Sequence, residues 1–173
     1  MMNSLDIMIG TIILLIGLSY WTASVIQYNN NYVDMVKSDY LLTKGINTLE
    51  KLCEDGTLEK AILLYYFGKV DESKKLLESN IPLSHYLLYI DNNLIINKSG
   101  NFNNSYYVLA ILAINRSEGW YVIYGDSTNI EISNDRFLSY DEAYREYLNY
   151  SIDMPVYLSR SIGTVKVKLV VGS

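Results

Sequence analysis

With 173 residues and a formal net charge of −5, the chain has room for a single domain with a real core and lacks the basic surplus a phosphate backbone attracts. No Lys/Arg cluster is present, so no nucleic-acid partner is expected. The single cysteine, Cys53, excludes an intramolecular disulfide and a multi-cysteine zinc site; it is expected as a small apolar residue on a helix face.

The first element is IMIGTIILLIGLSYWTASVI, residues 7–26, which contains no charged residue. At about 1.5 Å rise per residue a helix of this length spans about 30 Å, the hydrocarbon thickness of a bilayer. Gly10 and Gly17 are tolerated in membrane helices, and Tyr20 and Trp21 are the amphipathic rings that favour an interface. Ser19, Thr22 and Ser24 can bond back to the helix backbone. A cleavable signal would need a basic n-region and a shorter apolar core, whereas MMNSLD has no Lys or Arg and carries Asp6. Residues 1–27 therefore read as a retained transmembrane N-terminal helix; a cleaved signal and a buried soluble helix are the alternatives.

Residues 28–173, about 145 in number, read as one ectodomain. Its side of the membrane is open on composition. No basic residue precedes the anchor while Lys37 and Lys44 follow it, which favours a cytoplasmic domain. Against that stand four N-x-S sequons, at Asn97, Asn103, Asn115 and Asn149, candidate glycosylation sites of an extracytoplasmic domain.

Over residues 28–55 the helix is expected to continue, loosened at Asn29, Asn30 and Asn31. Val33, Val36, Tyr40, Ile46, Leu49, Leu52 and Cys53 fall near helical spacing and predict its apolar face. Gly56 suits the left-handed position that ends it. Residues 58–80 predict two short helices, Leu58 to Phe67 and a run N-capped by Asp71 to Ser79, with a turn at Gly68 and Pro82 beyond. The pair is similar to one tetratricopeptide hairpin, but no second copy follows at that period.

Residues 84–173 change period. HYLLYI and NLIIN flank DNN as a hairpin. SYYVLAILAI, WYVIYG and NIEIS are bounded apolar or β-branched runs, and TVKVKLVV alternates with Lys166 and Lys168 on one face. SYYVLAILAI is read as a central strand, with a helix as the alternative. Residues 141–149 predict a helix with an apolar face of Tyr140, Ala143, Tyr144, Tyr147 and Leu148. The fold class expected is α+β: a long N-terminal helix, transmembrane in its first half and amphipathic in its second, packed against a mostly antiparallel β-sheet, with short additional helices.

Four stretches carry a family resemblance: SLDIMIGTIILLIGL, LLTKGINTLEKLCEDGTLEKA, SNIPLSHYLLYI and SRSIGTVKVKLVVG. With this order of elements the chain resembles the archaeal type IV pilin-like proteins, the pseudopilins and minor pilins. The resemblance implies a subunit that lays a sheet against the outer half of its helix and joins a surface filament through the inner half. It also implies that an acid at the head of the apolar helix pairs with a neighbour's terminal amine. Asp6 is the residue that fills that position, and removal of Met1 alone would make it the fifth. An unpaired carboxylate in an apolar bundle costs several kcal/mol and a paired one far less. The alternative is that Asp6 marks the water edge of the anchor, favoured at a helix N-terminus. MMNSLD departs from the family in lacking a leader that ends in a basic residue.

Catalytic chemistry has little to draw on. His85, the single histidine, has no metal-binding spacing around it and is expected as a structural residue at a sheet edge. Asp71/Glu72 and Asp141/Glu142 open predicted helices, where acids complement the dipole. No enzyme, no cofactor and no small-molecule substrate are expected. The partners expected are membrane lipid and other pilin-like subunits, with Asp6, Gly10 and Gly17 as the assembly residues. A membrane-anchored extracytoplasmic domain for binding, adhesion or a stator-like role, never entering a filament, is the alternative.

Overall fold

The computed structural model describes residues 4–100, 102, 104–125, 129–150 and 154–172, the side chains of residues 4–6 and 150 excepted. The elements are α1 (Ser4–Glu54), α2 (Thr57–Tyr66), α3 (Val70–Asn80), β1 (Tyr86–Ile90), β2 (Asn93–Lys98), β3 (Ser105–Arg116), β4 (Gly119–Tyr121), β5 (Ile123–Gly125), β6 (Ile130–Ile132), α4 (Tyr140–Tyr150), β7 (Val156–Leu158) and β8 (Ile162–Gly172). The fold is α+β, with a long N-terminal helix, a mostly antiparallel sheet and short helices. Contacts divide the chain into two units, Met1–Tyr40 and Leu41–Ser173.

In the first unit α1 runs without a break through Asn29, Asn30 and Asn31, so the loosening expected there does not occur. Asn costs a helix about 0.7 kcal/mol or less per residue, too little to interrupt one that its neighbours continue on both sides. Every side chain from Ile7 to Lys37 is exposed, Val33 and Val36 among them. The burial of α1 begins later, with Gly45, Thr48, Leu49 and Leu52, while Tyr40, Ile46 and Cys53 stay exposed. Of the apolar face expected from spacing, Leu49 and Leu52 are buried as expected, and Val33, Val36, Tyr40, Ile46 and Cys53 are not. The helix approaches the sheet through glycine, where a Cβ on Gly45 would lie 3.2 Å from Val108 Cγ2 and 3.5 Å from Val171 Cγ1. Cys53, expected on a packed face, is an exposed free thiol, its pKa raised by partial burial and by Asp55, Glu50 and Glu54.

Gly56 takes φ 73, the left-handed turn that separates α1 from α2. Helix α2 buries Leu58, Ala61, Ile62, Leu63 and Leu64. Helix α3 starts two residues earlier than expected: its N-cap is Lys69, and Asp71 lies in the first turn, exposed, where its charge still favours the dipole. The buried Ser73 hydroxyl donates to the Ala61 carbonyl at 2.7 Å, linking the two short helices.

The main sheet has the order β2-β1-β8-β3, every pair antiparallel. Central β8 alternates as its sequence predicts, burying Val165, Val167, Leu169 and Val171 and exposing Thr164, Lys166 and Lys168. The β1–β2 hairpin turns at Asp91 and Asn92, both with positive φ (46 and 69), the geometry whose twist suits a two-residue connection. SYYVLAILAI is a strand, but at the edge of the sheet and not in its centre. The expected single strand WYVIYG divides at Val122: β4 pairs with β7, and β5 with β6. Ser133 causes the division by holding Val122 on both sides, its hydroxyl accepting the Val122 N–H and its N–H donating to the Val122 carbonyl. One core cluster joins Leu49 and Leu52 of α1 to inner residues of all eight strands, β3 contributing Ile114 while its Tyr106, Val108, Ala110 and Leu112 pack half-buried against it.

Candidate functional site

The apolar half of α1 pairs its own hydroxyls within the helix. The hydroxyls of Thr11, Ser19, Thr22 and Ser24 each donate to the carbonyl four residues earlier, at 2.8 to 2.9 Å, so none seeks an outside partner. This helix, near the N-terminus, is long and apolar enough to cross a membrane. Gly10 and Gly17 lie two turns apart, and a Cβ added at either would meet nothing within 4 Å. Asp6 lies in α1, but its side chain is outside the described residues.

The sequons are not brought together. Asn97 is exposed on β2, Asn115 is exposed near the end of β3, Asn149 is exposed near the end of α4, and Asn103 lies outside the described residues. At Asn97 the carboxamide oxygen accepts from the Ser99 N–H at 3.1 Å and from its hydroxyl at 2.6 Å, closing a local turn. His85 is exposed just before β1, with Gly100 against its ring. Among the described residues no three His, Cys, Asp or Glu side chains are grouped to hold a metal ion.

Three features were not foreseen in the sequence. The first joins distant segments: the Tyr66 hydroxyl donates to Asp91 Oδ2, Asp91 Oδ1 accepts the Lys166 N–H at 3.0 Å, and the Arg160 guanidinium lies 4.9 Å from the Tyr66 ring centre. They border a cleft of about 210 Å³ with Ser161, Gly163 and Thr164. Burial, and then the bond to Asp91, raise the Tyr66 pKa, and Arg160 opposes the shift, so the phenol is a donor at neutral pH.

The second is an aromatic row on α4 and the β4–β7 pair. Trp120 meets Tyr140 and Tyr157 at centroid distances of 5.1 Å each, and Tyr144 stacks between Tyr140 and Tyr147 at 5.7 and 5.6 Å. Of the apolar face expected for this helix only Ala143 is buried, while Tyr140, Tyr144 and Leu148 are exposed. The helix seats its one small residue and lays the rings over its surface. The Tyr157 hydroxyl donates to Glu118 at 2.6 Å, which raises its pKa.

The third is the outer side of β3, where Tyr107, Leu109 and Ile111 are 61, 55 and 66% exposed. Lys168 on the neighbouring β8 lies over both Tyr89 and Tyr107, at 5.6 and 5.0 Å. None of the three features has a local motif. An all-apolar run such as SYYVLAILAI hides which of its faces is covered.

The chain is 61% identical over 173 residues to the uncharacterized protein MJ1471 of Methanocaldococcus jannaschii, an alignment that covers 98% of this chain and 97% of that protein. No family model matches the chain, and no solved structure matches it. With that identity along nearly the whole of both proteins, the chain belongs to the same archaeal family as MJ1471.

Proposed function

We propose that this chain is a non-enzymatic, single-pass membrane protein with an extracytoplasmic domain, an accessory pilin-like subunit of an archaeal surface filament or pseudopilus. The observation that carries the reading is α1 itself. Its apolar stretch from Ile7 is exposed along its whole length with its hydroxyls paired internally, and the same helix ends in Leu49 and Leu52, two buried members of the domain core. A helix of this kind is both anchor and structural spine.

Assembly proceeds through the inner half of α1, with neighbouring helices approaching at Gly10 and Gly17, where the surface is open. Asp6 at the head of the apolar stretch pairs with the terminal amine of the adjacent subunit, a charge that the bilayer makes expensive to leave alone. The Asp6→Ala variant tests this. It is expected to remain in the membrane and to fold, yet to drop out of the high-mass assembly that the wild-type chain enters. An Asp6→Ala chain found in that assembly at wild-type level would remove Asp6 from the mechanism.

The aromatic row around Trp120 and Tyr140 favours a second reading, an anchored binding or adhesion domain outside any filament. In that case Asp6→Ala changes nothing, and substitutions in the row abolish surface attachment.

A further inference from the structure

The two edges of the main sheet differ. Among the described residues, β2 and β3 are its outermost strands. Edge β2 is six residues long, ends in Lys98, and faces a register irregularity between Leu88 and Tyr89 on β1. Edge β3 is twelve residues long, has no charge before Arg116 and no proline, and keeps unbroken register with β8 from Ser105 to Ala113. Proteins usually protect such an edge with charge, proline, a bulge or a covering element. Here the outer side of β3 is the exposed row Tyr107, Leu109, Ile111, and its inner side opens on a cleft of about 330 Å³ beside Ile46, Glu50, Cys53 and Glu54 of α1.

We propose that the β3 edge of one copy of this chain adds to the β2 edge of the next, so that the sheet continues from copy to copy. Strand direction allows it. Strands β3 and β8, β8 and β1, and β1 and β2 are each antiparallel, so β3 and β2 run in opposite directions. A copy set alongside in the same orientation therefore presents its β2 antiparallel to β3 and extends the ladder in the sheet's own pattern. Because the joined edges are different, the contact repeats without limit unless it curves shut. Copies held in one bilayer need a shared orientation, and this contact preserves it.

Charge selects the partner edge. On the inner side, Glu50 and Glu54 border β3, whereas β2 carries Lys98, ion-paired with Glu78 of α3 at 3.8 Å, and α3, packed beside β2, exposes Lys74 and Lys75. The seam between β3 and β2 thus sets Glu50 and Glu54 against three lysines, of which Glu78 engages only Lys98, and its outer side sets Leu109 and Ile111 near the exposed Leu94. Pairing β3 with β3 requires a half-turn and would bring Glu50 and Glu54 of both copies to one seam, acid against acid. The proposal concerns only Leu41–Ser173 and does not depend on the role given to Asp6.

The test uses the full chain in lipid vesicles as an equal mixture of unlabelled and nitrogen-15 forms, treated with a carbodiimide that joins carboxylates directly to amines. Mixed-isotope peptides joining Glu50 or Glu54 to Lys74, Lys75 or Lys98 are expected, and they are expected to vanish in both Ile111→Glu and Leu94→Glu. Both positions are already exposed, and Ile111 faces Lys166 across the strands, so folding should survive; unchanged circular dichroism and melting verify that. Mixed-isotope links confined to other residues, links indifferent to both substitutions, or no links between copies would each overturn the proposal.

Discussion

The Tyr66 hydroxyl donates to Asp91 Oδ2, and that bond fastens the C-terminal end of α2 to the tight turn between β1 and β2. The same carboxylate accepts the Lys166 N–H, so one side chain ties a helix, a hairpin turn and the central strand. A hydrogen bond to a charged group contributes about 1.5–3 kcal/mol. Tyr66→Phe is therefore expected to destabilise the domain by roughly that amount. Asp91→Ala should cost more than Asp91→Asn, because position 91 has positive φ, which Asn tolerates and Ala resists. Denaturant unfolding of the three variants measures the order; an Asp91→Asn chain less stable than Asp91→Ala would contradict it.

Tyr86 is fully buried, and its hydroxyl has no hydrogen-bond partner among the described residues. Burial, with Glu78 adding to it, pushes its pKa from 10.0 up to about 12. A pKa higher in the folded state than in the unfolded one means stability that is whole below about pH 10 and is lost as pH rises toward 12. Melting temperature against pH should show that alkaline loss, and Tyr86→Phe should lessen it. At neutral pH Tyr86→Phe should be neutral or stabilising, since it removes an unpaired buried group. A loss of stability at neutral pH would show that the hydroxyl has a partner after all.

At Gly45 α1 lies close against β3 and β8. A Cβ there sits 3.2 Å from Val108 Cγ2, tight but against a movable side chain, and Ala gains about 1 kcal/mol over Gly in a helix. Gly45→Ala is expected to be near neutral, whereas Gly45→Leu should overpack the contact and cost about 1–3 kcal/mol. Thermal unfolding distinguishes them, and equal stability of the two variants would show that the helix can lift from the sheet.

How much of this was legible varies by element. Strand β8 was open to reading because lysine and valine alternate along it, and the hairpin because its two apolar runs meet at DNN. The buried face of α1 was legible only in part, at Leu49 and Leu52. Its contact runs through Gly45 and Thr48 as well as Leu49 and Leu52, and an apolar count passes over a glycine chosen for closeness. Strand β7 was missed because three residues, Val156 to Leu158, are too few to show alternation. The Tyr66–Asp91–Arg160 group is assembled from three separate segments, so no spacing along the chain announces it. The aromatic row was half legible: Tyr140, Tyr144 and Tyr147 share a helical face, but helical spacing marks them as a core face, and Trp120 and Tyr157 join them only in three dimensions.

The proposed function requires α1 to be a membrane anchor and the domain that follows it to lie outside the cytoplasm. Alkaline carbonate extraction of native membranes, combined with protease added to intact cells, tests this most directly. The chain is expected to stay with the lipid through the wash and its domain to be digested from outside. A chain released by the wash, or a domain shielded until the cells are opened, would contradict the account.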